Sequence, residues 1–254
     1  MLYAWIMARR MLERIAISLF VVGMSAGTAL AQPILTRPGT YELTLPGSER
    51  RYTLVLPRGY LGAESVPLVM ALHYGGRVTP YIGRGFLEQL VEPALRELGA
   101  ILVAPDSAAD GWANPTAERH VIELLSFIES NYKVDKTKTL LTGYSMGGMG
   151  TWYLAPRHPE LFEAAIPMAG RPQADSTELD WRTPTYVINS AADELIAIGP
   201  TRDVVGRLKA RGAPIEMVVI DDVTHYEVPR YREHLKAAIP WLRGAWSAAP
   251  PEAP

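Results

Sequence analysis

None of the 254 residues is a cysteine, which excludes a disulfide framework, a lipid-modified cysteine, a thiol nucleophile and any thiolate metal site. Charge of one sign is equally scarce in the balance: 25 Lys and Arg against 27 Asp and Glu leave a formal net charge of −2 and a pI near 6.2. There is no basic stripe to neutralise a phosphate backbone, so no nucleic-acid partner is expected. The five histidines fall in no group with carboxylates at ligand spacing, and no metal is expected. No internal repeat is present, and no apolar run reaches the ~20 residues of a spanning helix. What remains, a chain 48% hydrophobic and long enough for one sizeable core, predicts a single globular domain with a modest-sized neutral or mixed-charge substrate.

The two ends stand apart. Arg9, Arg10 and Arg14 precede an apolar stretch from Ile15 to Leu30, and Ala29-Leu30-Ala31 closes it before Gln32. That order of basic, apolar and small residues predicts a secretory signal peptide over residues 1–31, cleaved after Ala31, and hence a periplasmic or secreted protein that meets a membrane only during export. The residues before Met7 read as an upstream extension. At the other end the Ala/Pro-rich segment 248–254 predicts a frayed, disordered tail, leaving residues 32–247 as the folded domain.

Within that domain short β-rich runs alternate with helical patterns, the signature of a mostly parallel sheet flanked by helices, an α/β fold. Tyr41–Leu45 and Arg51–Leu56 predict an antiparallel edge pair. The apolar runs Leu68–Leu72, Ile101–Ala104 and Leu140–Gly143 predict strands buried on both faces, followed by Glu163–Met168, Thr185–Ile188 and Glu216–Ile220. Helices are expected over Phe86–Leu98, Glu118–Asn131, Thr201–Arg211 and Arg230–Trp246, with Val121, Leu124, Leu125 and Ile128 at helical spacing.

One pentapeptide carries chemistry in this frame. Gly143-Tyr144-Ser145-Met146-Gly147 follows an apolar strand and precedes a helical stretch, the strand–turn–helix context in which G-x-S-x-G presents a nucleophilic serine. A base and an acid follow in the order Ser, Asp, His. Asp193 sits in a polar loop after strand Thr185–Ile188, and His225 in a loop after strand Glu216–Ile220, so all three converge on the carboxyl ends of the strands, where open α/β sheets bind ligands. Serine is a poor nucleophile near neutral pH; His225 would take its proton and Asp193 would fix the imidazole tautomer. Glu194, Asp221 and Asp222 compete for the acid's role, but the two aspartates lie too close to His225 in sequence to orient it without a loop reversal. His73-Tyr74-Gly75-Gly76 directly follows strand Leu68–Leu72, where a second oxyanion donor belongs. The expected donors are the N–H of Met146 and that of Gly75, with Tyr74 as the alternative, and His73 reads as a structural residue of this loop.

The run from Gly143 to Trp152, with His158-Pro159-Glu160-Leu161-Phe162-Glu163-Ala164-Ala165-Ile166-Pro167 after it, resembles the α/β-hydrolase superfamily. It is most similar to the phospholipase/carboxylesterase and predicted-peptidase branch that includes polyhydroxybutyrate-depolymerase-like and feruloyl-esterase-like enzymes. The resemblance runs from about Leu68 to Trp241 and implies an eight-stranded sheet and cofactor-free hydrolysis of a small-molecule or polymer-borne ester. Tyr74 stands where that family usually has glycine, and the segment before Asp193 lacks the usual glycine-containing lead-in. The segment 170–184 is too short for a cap domain, so an open site for short or exposed acyl groups is expected. Tyr81 in the loop 77–85, Trp112 and Trp181 are candidate substrate contacts. A peptidase would use the same three residues, because ester and amide pass through one tetrahedral intermediate. A non-catalytic binding protein of this fold would be expected to lack the nucleophile or the base. Acyl transfer would need a second binding surface.

Overall fold

The computed structural model describes residues 34–77, 79–107 and 111–248; the expected signal segment 1–31 and residues 249–254 of the expected tail lie outside the described residues. Eight strands form one sheet: β1 (Gly39–Thr44), β2 (Arg51–Leu56), β3 (Val66–Leu72), β4 (Ile101–Pro105), β5 (Val134–Tyr144), β6 (Ala164–Met168), β7 (Thr185–Ser190) and β8 (Ile215–Ile220). Their spatial order is β1-β2-β4-β3-β5-β6-β7-β8. The β1–β2 and β2–β4 pairs are antiparallel and all later pairs parallel, which is the edge hairpin and parallel centre that the sequence predicts.

Side-chain alternation along the strands divides the core in two. Leu68, Met70 and Leu72 of β3 face one side, under α3 (Pro115–Asn131), α4 (Met146–Leu154) and α5 (Ile198–Ala210), while Val69 and Ala71 face the other. That second side is covered by α1 (Ile82–Phe86), the π turn Leu87–Val91, α2 (Glu92–Leu95), α6 (Tyr231–Ala237) and α7 (Ile239–Ser247). Every central strand is therefore apolar on both faces, and continuous runs replace alternation.

Element boundaries depart from the sequence expectation where caps and proline act. α3 starts three residues before Glu118 because the Asn114 side-chain oxygen accepts the N–H groups of Thr116 and Ala117 at 3.0 and 2.9 Å, and Pro115 occupies the first helical position without losing a bond. The expected single helix Arg230–Trp246 is a 3-10 turn, Val228–Arg230, followed by α6 and α7. Pro240 has no N–H to offer the preceding turn, and the chain re-enters helix at Ile239. The segment 170–184 forms turns along α4, where Gln173 Nε2 donates to Met149 O at 3.3 Å and Thr183 Oγ1 to Ala155 O at 2.9 Å; it builds no cap. Among the described residues no helix is long and apolar enough to cross a membrane.

Candidate functional site

β5 ends at Tyr144 and α4 begins at Met146, leaving Ser145 alone to make the turn at φ 54° and ψ −114°. This is a left-handed φ that costs a non-glycine residue of order 1–3 kcal/mol and persists only where the surroundings enforce it. Enforcement comes from both sides: Ser145 N–H continues the sheet ladder to Met168 O at 2.9 Å, and Ser145 O accepts Met149 N–H at 2.9 Å as the first helical bond. The glycines leave room for the reversal. A Cβ on Gly143 would overlap the Gly147 carbonyl, and one on Gly147 would overlap the carbonyl at the end of β3.

The acid's loop is locked onto β8. Ala191 N–H donates to Ile220 O at 2.7 Å, Ser190 Oγ donates to the same oxygen at 3.1 Å, and Ser190 Oγ accepts Ala192 N–H at 3.1 Å. A hydroxyl thus shapes this turn. Asp193, its side chain wholly shielded, receives the N–H groups of Leu195 and Ile196 on Oδ1 at 2.9 and 2.7 Å. Its other oxygen, Oδ2, meets His225 Nδ1 at 2.8 Å, and His225 Nε2 meets Ser145 Oγ at 2.8 Å. The three residues expected from the order of the sequence are in hydrogen-bonding sequence. With Nδ1–H given to Asp193, Nε2 carries the lone pair that faces the serine hydroxyl, which is the arrangement a general base requires.

Of the competing acids, Glu194 contacts the His225 backbone instead of the imidazole, its Oε2 accepting the His225 N–H at 2.9 Å. Asp222 pairs with Arg230 at 2.7 Å. Met146 opens α4, and its side chain lies where a Cβ on Gly75 would touch it at 3.6 to 3.7 Å, so the two expected oxyanion donors belong to neighbouring segments. Tyr74 is accommodated by edge-on packing against Phe86 and Tyr144, with ring centroids at 6.0 and 6.5 Å.

His73 is buried behind this loop. Its Nε2 accepts Ser107 N–H at 3.1 Å, so the proton sits on Nδ1 and is donated to Tyr74 O at 2.7 Å. Burial pushes the imidazole below its ordinary value of 6.5, against the opposing pull of the Tyr74 carbonyl and Asp106. The unfolded chain therefore binds this proton more readily than the fold does. The stability that neutral His73 provides is present above about pH 6.5 and is lost as the pH falls below it. Urea unfolding measured from pH 8 down to pH 5 is expected to show a midpoint that declines below ~6.5 and a shallower decline in His73→Asn. Equal slopes in the two proteins would contradict this role.

The three candidate substrate contacts are held by different parts of the fold. Trp112 is 1% exposed, edge-on to His73 at 5.0 Å with its Nε1 donating to His73 O at 2.9 Å, so it supports the loop from within the core. Trp181 packs on Trp152 at 5.1 Å and donates to Thr185 at the start of β7. It lines a cavity of about 720 Å³ at the amino ends of the strands, opposite the Ser145 edge. In both cases indole burial outweighs an exposed aromatic role. Tyr81 adopts φ 58° ahead of α1, donates its N–H to Asp106 Oδ2 at 2.9 Å and faces the Arg51 guanidinium at 5.9 Å. Two exposed residues absent from the sequence expectation lie beside these loops: Leu195, 56% exposed, donates its N–H to Asp193 Oδ1, and Tyr226, 74% exposed, packs edge-on to His225 at 5.6 Å. Among the described residues no cluster of three or more His, Asp or Glu side chains could hold a metal ion.

A family model for esterases matches residues 44–194, more than half of the chain, spanning Ser145 and Asp193 and ending before His225. The chain belongs to the Esterase family. Two curated proteins of similar sequence are a protein of Aspergillus terreus named probable feruloyl esterase C and feruloyl esterase C of Emericella nidulans. Each is 29% identical over 125 residues, 48% of this chain and 46% of the relative. The chain thus spans about half the length of the curated relatives it matches. Among solved structures, a thermostable esterase superposes with a TM-score of 0.66 at 22% identity over 83% of this chain and 64% of that one. A ferulic acid esterase superposes with a TM-score of 0.64 at 20% identity over 82% and 98%. These likenesses establish the fold of this Esterase-family chain as α/β-hydrolase, and among the described residues no separate cap domain is evident.

Proposed function

We propose that this protein is an exported serine hydrolase of carboxylic esters, with residues 1–31 directing export and Ser145, His225 and Asp193 as nucleophile, base and orienting acid. The observation that carries the reading is the pair of 2.8 Å hydrogen bonds linking Ser145 Oγ, His225 and Asp193 across three loops at one sheet edge, in a chain of the Esterase family. Ser145 Oγ attacks the acyl carbon while His225 Nε2 takes its proton, and the N–H groups of Met146 and of Gly75 or Tyr74 receive the negative oxygen. Collapse breaks the acyl C–O bond as His225 returns the proton to the departing alcohol. Water, deprotonated by the same Nε2, then attacks the acyl-serine and releases the carboxylic acid and free Ser145.

The absence of a cap among the described residues and the exposed Leu195 and Tyr226 favour short acyl groups, or aromatic or polymer-borne esters held against an open rim. The feruloyl esters named for the curated relatives belong to this class. The test is hydrolysis of p-nitrophenyl esters from acetate to palmitate, with methyl ferulate and a p-nitroanilide alongside. The expected kcat/KM is highest for the shortest esters and for ferulate, and absent in Ser145→Ala. A maximum at palmitate would overturn the open-site reading, and anilide turnover without ester turnover would favour a peptidase.

A further inference from the structure

His225 lies between β8 and the turn Val228–Arg230, in a segment with neither helix nor strand, so no regular ladder fixes its backbone. Both polar groups of its main chain are nonetheless taken by side chains. Glu194 Oε2 accepts the His225 N–H at 2.9 Å, and Tyr144 donates its hydroxyl to the His225 carbonyl at 2.7 Å. Glu194 follows Asp193 in sequence and Tyr144, the last residue of β5, precedes Ser145, so each of the other two reactive residues has one chain neighbour that holds the histidine.

We infer that Glu194 and Tyr144 are positioning residues that clamp the His225 main chain from both sides and thereby aim its imidazole between Asp193 and Ser145. The inference rests on the proposed roles of those three residues. Side-chain direction follows from the Cα–Cβ bond, and a backbone free to rotate would swing Nε2 away from Oγ even with the Asp193 hydrogen bond kept. The clamp matters most after Ser145 is acylated. The Oγ to Nε2 hydrogen bond then no longer exists, and the imidazole must hold its aim at incoming water through Asp193 and its own backbone.

Both clamping groups stay in the required protonation state. Burial, with Tyr231 and the Asp193 charge adding to it, pushes the Tyr144 phenol well above its ordinary value, so it remains a donor. The His225 N–H, followed by Glu194's own N–H, holds the Glu194 carboxyl below the usual glutamate range, so it remains an acceptor. Local closure completes the hold: Glu227 Oε2 accepts the N–H and hydroxyl of Thr224 at 2.9 and 3.0 Å, tightening the turn around His225.

The test compares Glu194→Ala, Glu194→Gln and Tyr144→Phe with wild type on p-nitrophenyl acetate, with thermal unfolding measured in parallel. Glu194 is exposed, so its removal opens no core and that variant folds even if Tyr144→Phe does not. Displacing a reacting group by about 1 Å can cost up to ~100-fold, and kcat is expected to fall roughly 10-fold or more in Glu194→Ala and Tyr144→Phe with KM nearly unchanged. Glu194→Gln, whose amide oxygen still accepts the N–H, recovers most of that loss, and the unfolding temperature of Glu194→Ala does not move with its activity. Wild-type kcat in Glu194→Ala and Tyr144→Phe, in a protein that Ser145→Ala inactivates, overturns the clamp. Equal impairment of Glu194→Gln and Glu194→Ala overturns it also, because charge would then replace the hydrogen bond. An active Ser145→Ala would instead remove the underlying assignment of the nucleophile.

Discussion

Asp193→Asn is expected to lower kcat by about 10⁴-fold while the protein stays folded. Two amides decide the outcome. Leu195 and Ile196 both direct N–H groups at Asp193 Oδ1, so an asparagine must place its carbonyl oxygen there, since an NH2 would confront two donors. Its amide NH2 then faces His225 Nδ1, which must become an acceptor, and the imidazole proton moves to Nε2. Nε2 lies 2.8 Å from Ser145 Oγ and would present a hydrogen where a lone pair is needed. The substrate contacts are untouched, so KM should change little. Steady-state kinetics with circular dichroism as a folding control check this, and activity within about tenfold of wild type would remove Asp193 from the role.

Gly147→Ala is expected to be the most damaging added methyl group among the described glycines. The added Cβ would overlap the Leu72 carbonyl oxygen and approach His73 O at 2.8 Å, and both are backbone atoms of β3 and its following loop. No rotamer relieves such a contact, so α4 must move away from the sheet centre and take Ser145 with it. Overpacking of a core costs typically 1–3 kcal/mol and sometimes more; ~3 kcal/mol would lower Tm by roughly 6–12 °C in a domain of this size. Gly206→Ala is the control. Gly206 lies inside α5 with nothing within 4 Å of the added methyl, and alanine there should stabilise by about 0.5–1 kcal/mol through helix propensity alone. Calorimetry of the two variants should give shifts of opposite sign; similar shifts would mean that the close approach at Gly147 is not what holds the turn.

The parts of this molecule legible in its sequence are those written in local pattern. Apolar runs such as Leu68–Leu72 and the spacing Val121, Leu124, Leu125, Ile128 locate strands and a helix, because burial on two faces or on one stripe leaves a period that can be read directly. Ser145, Asp193 and His225 are legible because each follows a strand, so chain order alone puts them on one sheet edge. The tryptophans were not. Trp112 and Trp181 look alike in sequence, and only the placement of their segments, against Gly150 and His73 in one case and against Trp152 in the other, makes both interior. Glu194 was visible only as a rival acid, since a side chain that reaches a backbone amide 31 residues away leaves no periodic trace. The start of α3 could have been read from Asn114-Pro115, a cap followed by proline at the first helical position.

The most direct test of the account is covalent labelling with a fluorophosphonate, followed by peptide mass spectrometry. One adduct is expected, on the peptide containing Ser145, absent in Ser145→Ala and formed far more slowly in His225→Ala. An unlabelled wild-type protein that still hydrolyses esters, or a label on another residue with Ser145→Ala fully active, would contradict it.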